Sequence, residues 1–89
     1  MSAEKLQLAL YRYIISDRRI EELEEKKAQA IRRKEAAEIT ERCLVDPNLK
    51  ETAVAAWNEA YREELKLEIK ILAIKKEQAE FLLERMLAD

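Results

Sequence analysis

Apolar residues recur along this chain at spacings of three, four and seven, the period of amphipathic helices, and the recurrence breaks once, near the midpoint. In the first half, Leu6, Leu10, Tyr13, Ile20 and Leu23 share one helical face. Leu23, Ala30, Ala37 and Leu44 then repeat every seven residues, and the line beside them is Ile20, Lys27, Lys34, Glu41. The inward face of that stretch is therefore small or charged. The second half is more apolar and carries two stripes. One runs Val54, Trp57, Tyr61, Leu65, Ile69, Leu72, Ala79, Leu83, Met86; the other runs Ala53, Ala56, Ala60, Leu67, Ile71, Ile74, Phe81 on roughly the opposite side.

The break is Val45-Asp46-Pro47-Asn48, which holds the one proline of a chain without glycine. Proline lacks a backbone donor and clashes with the preceding turn, so a helix running through Pro47 would lose roughly 3 kcal/mol. It suits the first turn of a new helix, with Asp46 as the N-cap; Asn48 with Glu51 is a competing capping-box spacing. With no glycine for a C-cap, the turn falls to Asp46 or Asn48, the residues that best tolerate left-handed geometry. The pattern predicts a helix over 3–44 with Ser2 as its cap, a turn at 45–48 and a helix over 48–88. Together they make one all-α domain, 1–89, folded as an antiparallel two-helix hairpin of coiled-coil type.

Counting outward from the turn sets Trp57 against Ala36 and Ala37, Tyr61 and Leu65 against Ala28, Ala30 and Ile31, and Ile69 and Leu72 against Leu23 and Ile20. Leu83 and Met86 then meet Leu10 and Leu6. Large residues fall opposite small ones near the turn. The expected hairpin core is accordingly Leu23, Ala30, Ala37, Trp57, Tyr61, Leu65, Leu72 and Leu83. That leaves Ala56, Ala60, Leu67, Ile71, Ile74 and Phe81 facing outward. A single partner helix covers one face only, and a contiguous exposed apolar strip marks an interaction site. The expectation is a homodimer, two hairpins closing into a four-helix bundle, with a protein partner on the same stripe as the alternative occupant.

Composition agrees with long helices: 40% of residues are charged and 48% hydrophobic, with few aromatics. Chemistry is scarce. The absence of histidine removes the usual acid–base residue and metal ligand, and the absence of glycine removes phosphate-cradling loops. Glu35-x-x-Glu38 and Glu38-x-x-Glu41 read as a solvated outer face. No enzyme activity, cofactor or metal is expected. Lys27 and Lys34 are unusual because they fall on the inward line. Their stems can cover apolar surface, their ammonium groups can pair with Glu64 or Glu68 across the hairpin, or they can form an anion site inside the bundle.

The leading functional expectation is a non-enzymatic protein–protein interaction module, an oligomerising adaptor, scaffold or small regulator. The alternative is a nucleic-acid-binding hairpin dimer that uses Arg18, Arg19, Arg32 and Arg33. Against it, 17 basic residues stand against 19 acidic ones, and the net charge is −2. The lone Cys43 reads as a small buried hydrophobe and points to a reducing compartment. No run approaches the ~18 apolar residues of a membrane span, and the first residues lack the basic and apolar regions of a signal peptide. A cytoplasmic protein without membrane contact is expected.

Overall fold

Helix α1 spans Ala3–Cys43 and α2 spans Pro47–Ala88, 41 and 42 residues respectively. The computed structural model describes residues 2–88, with the backbone alone at Ala88; Met1 and Asp89, included in the expected 1–89 domain, lie outside the described residues. No strand occurs among the described residues. The two helices pack side by side and antiparallel into a rod of 66 × 18 × 13 Å.

Both helix starts are capped by side-chain oxygens. Ser2 Oγ accepts from the Lys5 N–H at 3.3 Å, and Asp46 Oδ1 accepts from the Asn48 N–H at 2.9 Å. Asp46 is thus the cap of α2 and Pro47 its first residue, where the missing donor would have had no partner. The left-handed turn residue expected at Asp46 or Asn48 is not used: no described residue has positive φ. Leu44 takes an extended conformation instead (φ −86°, ψ 139°), and its N–H closes α1 on the Thr40 carbonyl at 3.1 Å. The three-residue link Leu44–Asp46 reverses the chain without a tight C-cap, so the geometry that favours glycine is never needed.

A strict three-four alternation describes the seam. On α1, Leu6, Ala9, Tyr13, Ser16, Ile20, Leu23, Lys27, Ala30, Lys34, Ala37, Glu41 and Leu44 are buried or half-buried; Ile31 is the one further such residue. On α2 the same alternation runs Lys50, Ala53, Trp57, Ala60, Glu64, Leu67, Ile71, Ile74, Gln78, Phe81 and Arg85, with Glu68 beside it. This is the heptad of a two-stranded antiparallel coiled coil. Its continuous buried cluster is small: Ile20, Leu23, Ala30, Leu67 and Ile71, with Ile74 packed against it.

The helices meet in the expected direction but through the other face of α2. Leu67 and Ile71, expected outside, are 3% and 2% exposed, Ala60 is buried, and Ile74 and Phe81 are half-buried; of that set only Ala56 is exposed. Conversely Tyr61, Leu65, Leu72 and Leu83, expected in the core, lie on the exposed side, with Leu65 at 44% and Leu72 at 54%; Trp57 is half-buried. Leu23, Ala30 and Ala37 are buried. Two causes act together. The steps Trp57, Tyr61, Leu65, Ile69 are all of four residues, each advancing about 400°, so the stripe slides ~40° per step away from the seam. More decisively, the inward lysines of α1 need carboxylates, because an unpaired charge against Leu or Ile is costly to bury. Only the face that carries Glu64 and Glu68 supplies them. Ala30 and Ala37 of α1 then share the seam with Ala53 and Ala60 of α2, so the turn half of the hairpin is built small against small.

Candidate functional site

The polar centre of the seam is a set of cross-helix ion pairs. Lys34 donates to Glu64 Oε2 at 2.9 Å, and Lys27 donates to Glu68. The Lys34 ammonium also stands over the rings of Trp57 and Tyr61, 5.9 and 5.2 Å from their centroids, and those rings stack at 5.2 Å. Trp57 and Tyr61 are one helical turn apart, so their rings form a shared shelf against which the lysine lies. The hydrogen bond to Glu68 holds the Lys27 ammonium above the ordinary lysine pKa, against partial loss of hydration; the charges of Glu68, Glu64 and Glu24 add to the rise. Lys75–Glu24 at 3.7 Å and Gln78–Asp17 at 2.7 Å continue the cross-helix contacts toward the open end of the hairpin. Both inward lysines are therefore paired with carboxylates across the hairpin.

Chemistry beyond these pairs is sparse. No group of three or more potential metal-ligating side chains occurs among the described residues, and none of their buried side-chain polar atoms lacks a partner. Cys43 is exposed, not buried, because it falls one residue short of the seam position Leu44. No helix among the described residues is long and apolar enough to cross a membrane.

What the hairpin leaves uncovered is apolar surface. Along the back of α2 a second three-four alternation runs Leu65, Ile69, Leu72, Lys76, Ala79, Leu83, Met86, with every member exposed. α2 thus carries two interleaved heptads, offset by roughly 150°, and α1 covers one of them. At the open end the apolar surface widens. Leu8, Leu10, Tyr11, Ile14 and Ile15 of α1 stand exposed across the rod's end from Leu82, Leu83, Met86 and Leu87. Inside this end Tyr13 and Phe81 meet with ring centroids 5.9 Å apart. An exposed strip of this length exceeds the scattered surface apolars of an ordinary monomer.

A groove of about 630 Å³ lies beside the turn, floored by Ala37, Ala53 and Ala60 and edged by Arg33 and Glu59. It follows from the small seam residues, which leave the helix flanks shallow there.

The basic residues form a pattern of their own. Lys5, Arg12, Arg19, Lys26 and Arg33 repeat every seven residues along one edge of α1, and the expected nucleic-acid residues Arg18, Arg19, Arg32 and Arg33 are all exposed on or beside that edge. Carboxylates share it. Arg19 pairs with Glu22 at 3.8 Å, Arg12 lines a cavity together with Glu77, and Arg33 lines the turn groove together with Glu59.

Comparison with known proteins finds no matching family, no matching curated protein and no matching solved structure.

Proposed function

We propose that this chain is a non-enzymatic interaction module, a hairpin that self-associates through the outer apolar line of α2 and so brings four helices together from two chains. The observation that supports this is the second heptad itself. Leu65, Ile69, Leu72, Leu83 and Met86 are all exposed on the side of α2 away from α1, at the spacing of a helix-pairing seam. A hairpin with so thin an inner core gains from covering that line, since burial of apolar surface is the main favourable term in association. In this reading the protein acts as an adaptor, scaffold or small regulator, with a second copy or another helical protein on the line. A reducing, cytoplasmic setting suits the lone exposed thiol of Cys43.

Sedimentation of the purified chain tests it. The expected result is twice the chain mass, falling to one chain mass in Leu72→Glu while helical circular dichroism is retained. A monomeric native chain, or an unchanged mass in Leu72→Glu, removes the line as the interface.

The nucleic-acid reading draws on the heptad-spaced basic edge of α1. Glu22, Glu59 and Glu77 stand beside Arg19, Arg33 and Arg12 and weaken it, because a phosphate backbone meets both signs there. Binding to RNA or duplex DNA at low salt, lost in a combined Arg18→Ala, Arg19→Ala, Arg32→Ala, Arg33→Ala variant, would establish it; no binding at low salt would remove it.

A further inference from the structure

Resting on that reading, we propose that the occupant of the outer α2 line is a second copy of this chain, paired α2 to α2 in parallel and in register. Two hairpins closing face to face would need apolar surface on both helices. The side of α1 that adjoins the line carries it only at the open end, at Leu10 and Ile14; from there toward the turn Asp17, Glu21, Glu24, Glu35 and Glu38 are all exposed. The contact is therefore carried by α2, over a line from Leu65 to Met86 about 32 Å long.

The charges bordering the line indicate what covers it. One border carries Glu59, Lys66 and Glu80; the other, on the side of α1, carries Glu68 and Lys75, which also pair with Lys27 and Glu24 of their own chain. A uniformly basic or uniformly acidic partner helix would meet like charge on both borders. A copy with the same mixed borders does not. In the parallel, in-register arrangement Leu65, Ile69, Leu72, Leu83 and Met86 each meet their own counterpart, and Lys76 meets the partner's Lys76. Lys75 falls beside the partner's Glu80, twice by symmetry, and Leu82 beside the partner's Leu87, following the edge pairing of parallel coiled coils. Antiparallel registers do worse. One gathers Lys75 and Lys76 of both copies at the dyad, the next sets Leu65 against the partner's Lys76, and a third leaves Leu65 without a counterpart and makes no opposite-charge pair.

Lys76 is the one charged residue in the line. Its ammonium lies 3.9 Å from Glu80 of its own chain. In the parallel pair Glu80 stands between that ammonium and the partner's Lys75, so the Lys76 layer is flanked by carboxylates on both sides. One lysine from each chain in such a layer costs affinity and fixes register and strand number.

Disulfide trapping tests orientation separately from association. In a Cys43→Ser background, Leu65→Cys and Leu83→Cys are made singly, and each is oxidised with diamide alone and in an equimolar mixture. Both positions are exposed, so both variants are expected to fold. Parallel pairing brings each cysteine within disulfide reach of its own copy. The expected result is covalent dimer from either variant alone, with no preference for the mixed species. Covalent dimer formed only in the mixture, or in no tube from a chain that sediments as a dimer, overturns the parallel in-register orientation and leaves self-association standing; a native chain that sediments as a monomer removes both. Lys76→Ile is expected to tighten the dimer about a hundredfold, since each of the two copies buries one further aliphatic side chain. An unchanged or weaker dimer in Lys76→Ile overturns the placement of Lys76 in the line.

Discussion

Lys34 and Glu64 meet at 2.9 Å across the seam, at positions where a two-stranded coil ordinarily holds aliphatic side chains. Their side chains are 21% and 15% exposed, the least exposed of the cross-helix ion pairs among the described residues. Removing one member leaves a partly buried charge alone. Glu64→Ala is expected to cost about 1–3 kcal/mol in chemical denaturation. The double change Lys34→Met with Glu64→Leu is expected to be neutral or stabilising, because no charge is then left to hydrate. A double variant as unstable as Glu64→Ala would mean that the pair contributes more than mutual neutralisation.

Lys27 carries the pH dependence of the same seam. Its pKa is raised in the folded chain, chiefly by the hydrogen bond to Glu68. A lysine whose folded value exceeds its unfolded value of about 10.4 contributes stability that is fully present below that pH. The contribution is lost as pH rises through the higher folded value. Thermal melts of the native chain and of Lys27→Met are expected to run parallel from pH 7 to 10. Above that the native chain should lose its excess stability and converge on the variant. The difference between the two curves carries the result. A constant difference up to pH 12 would show that the Lys27–Glu68 hydrogen bond does not govern it.

The inversion of the α2 faces separates two classes of leucine. Leu67→Ala empties space between the helices and is expected to cost about 2–5 kcal/mol. Leu72→Ala, at a dilution where the chain is monomeric, should change stability by less than about 0.5 kcal/mol. Ile71→Glu belongs to the first class: it places an unpaired charge in the buried cluster and should abolish helical structure rather than alter mass alone. Urea titrations of the three variants, followed by circular dichroism, check this ordering.

Much of the fold is legible in the sequence for local reasons. Pro47 without any glycine marks the reversal, Asp46 marks the cap, and Ser2 caps the first helix. Long-range pairing is only half legible. Lys27 and Lys34 on the inward line of α1 call for carboxylates, and Glu64 and Glu68 lie at the right distance from the turn. What obscures the seam of α2 is that hydrophobicity points elsewhere. Its true line includes Lys50, Glu64, Gln78 and Arg85, whereas the outer line holds Leu65, Ile69, Leu72 and Leu83. Ranking stripes by apolar content selects the outer one. Following the unbroken three-four alternation from Lys50 to Arg85, and asking which face neutralises the two lysines, selects the inner one. The match of large α2 residues to small α1 residues misleads for a related reason. Ala30 and Ala37 share their half of the seam with Ala53 and Ala60, and small residues on both helices are satisfied by close approach as well as by bulky partners.

That close approach makes its own prediction. Ala30 is fully buried and Ala60 nearly so. Leucine is almost as good a helix former as alanine, so Ala30→Leu or Ala60→Leu tests packing with little change in propensity. Each is expected to destabilise by about 1–3 kcal/mol through overpacking. The same change at the exposed Ala55, on the outer side of α2, should be near neutral. Stabilisation by Ala30→Leu, read from urea midpoints, would mean that the turn half of the seam holds unfilled space.

The cap of α2 offers the most local test. Asp46 Oδ1 accepts the Asn48 N–H, and the Asp46 carbonyl accepts the Lys50 N–H at 3.0 Å, so one residue closes the first turn from both its side chain and its backbone. The free amides there also favour a nearby carboxylate through the helix dipole. Asp46→Ala should therefore cost about 0.5–2 kcal/mol, and Asp46→Asn much less, since the amide oxygen accepts the same bond. Asn48→Ala is expected to change stability by under about 0.5 kcal/mol, because its side chain makes no capping contact. Denaturation midpoints of the three variants decide between the two caps. A large loss in Asn48→Ala with none in Asp46→Ala would move the start of α2 to the competing Asn48–Glu51 box and shift the turn by two residues. Such a shift would carry the whole seam of α2 with it, since two residues rotate every side chain of the helix by about 200°.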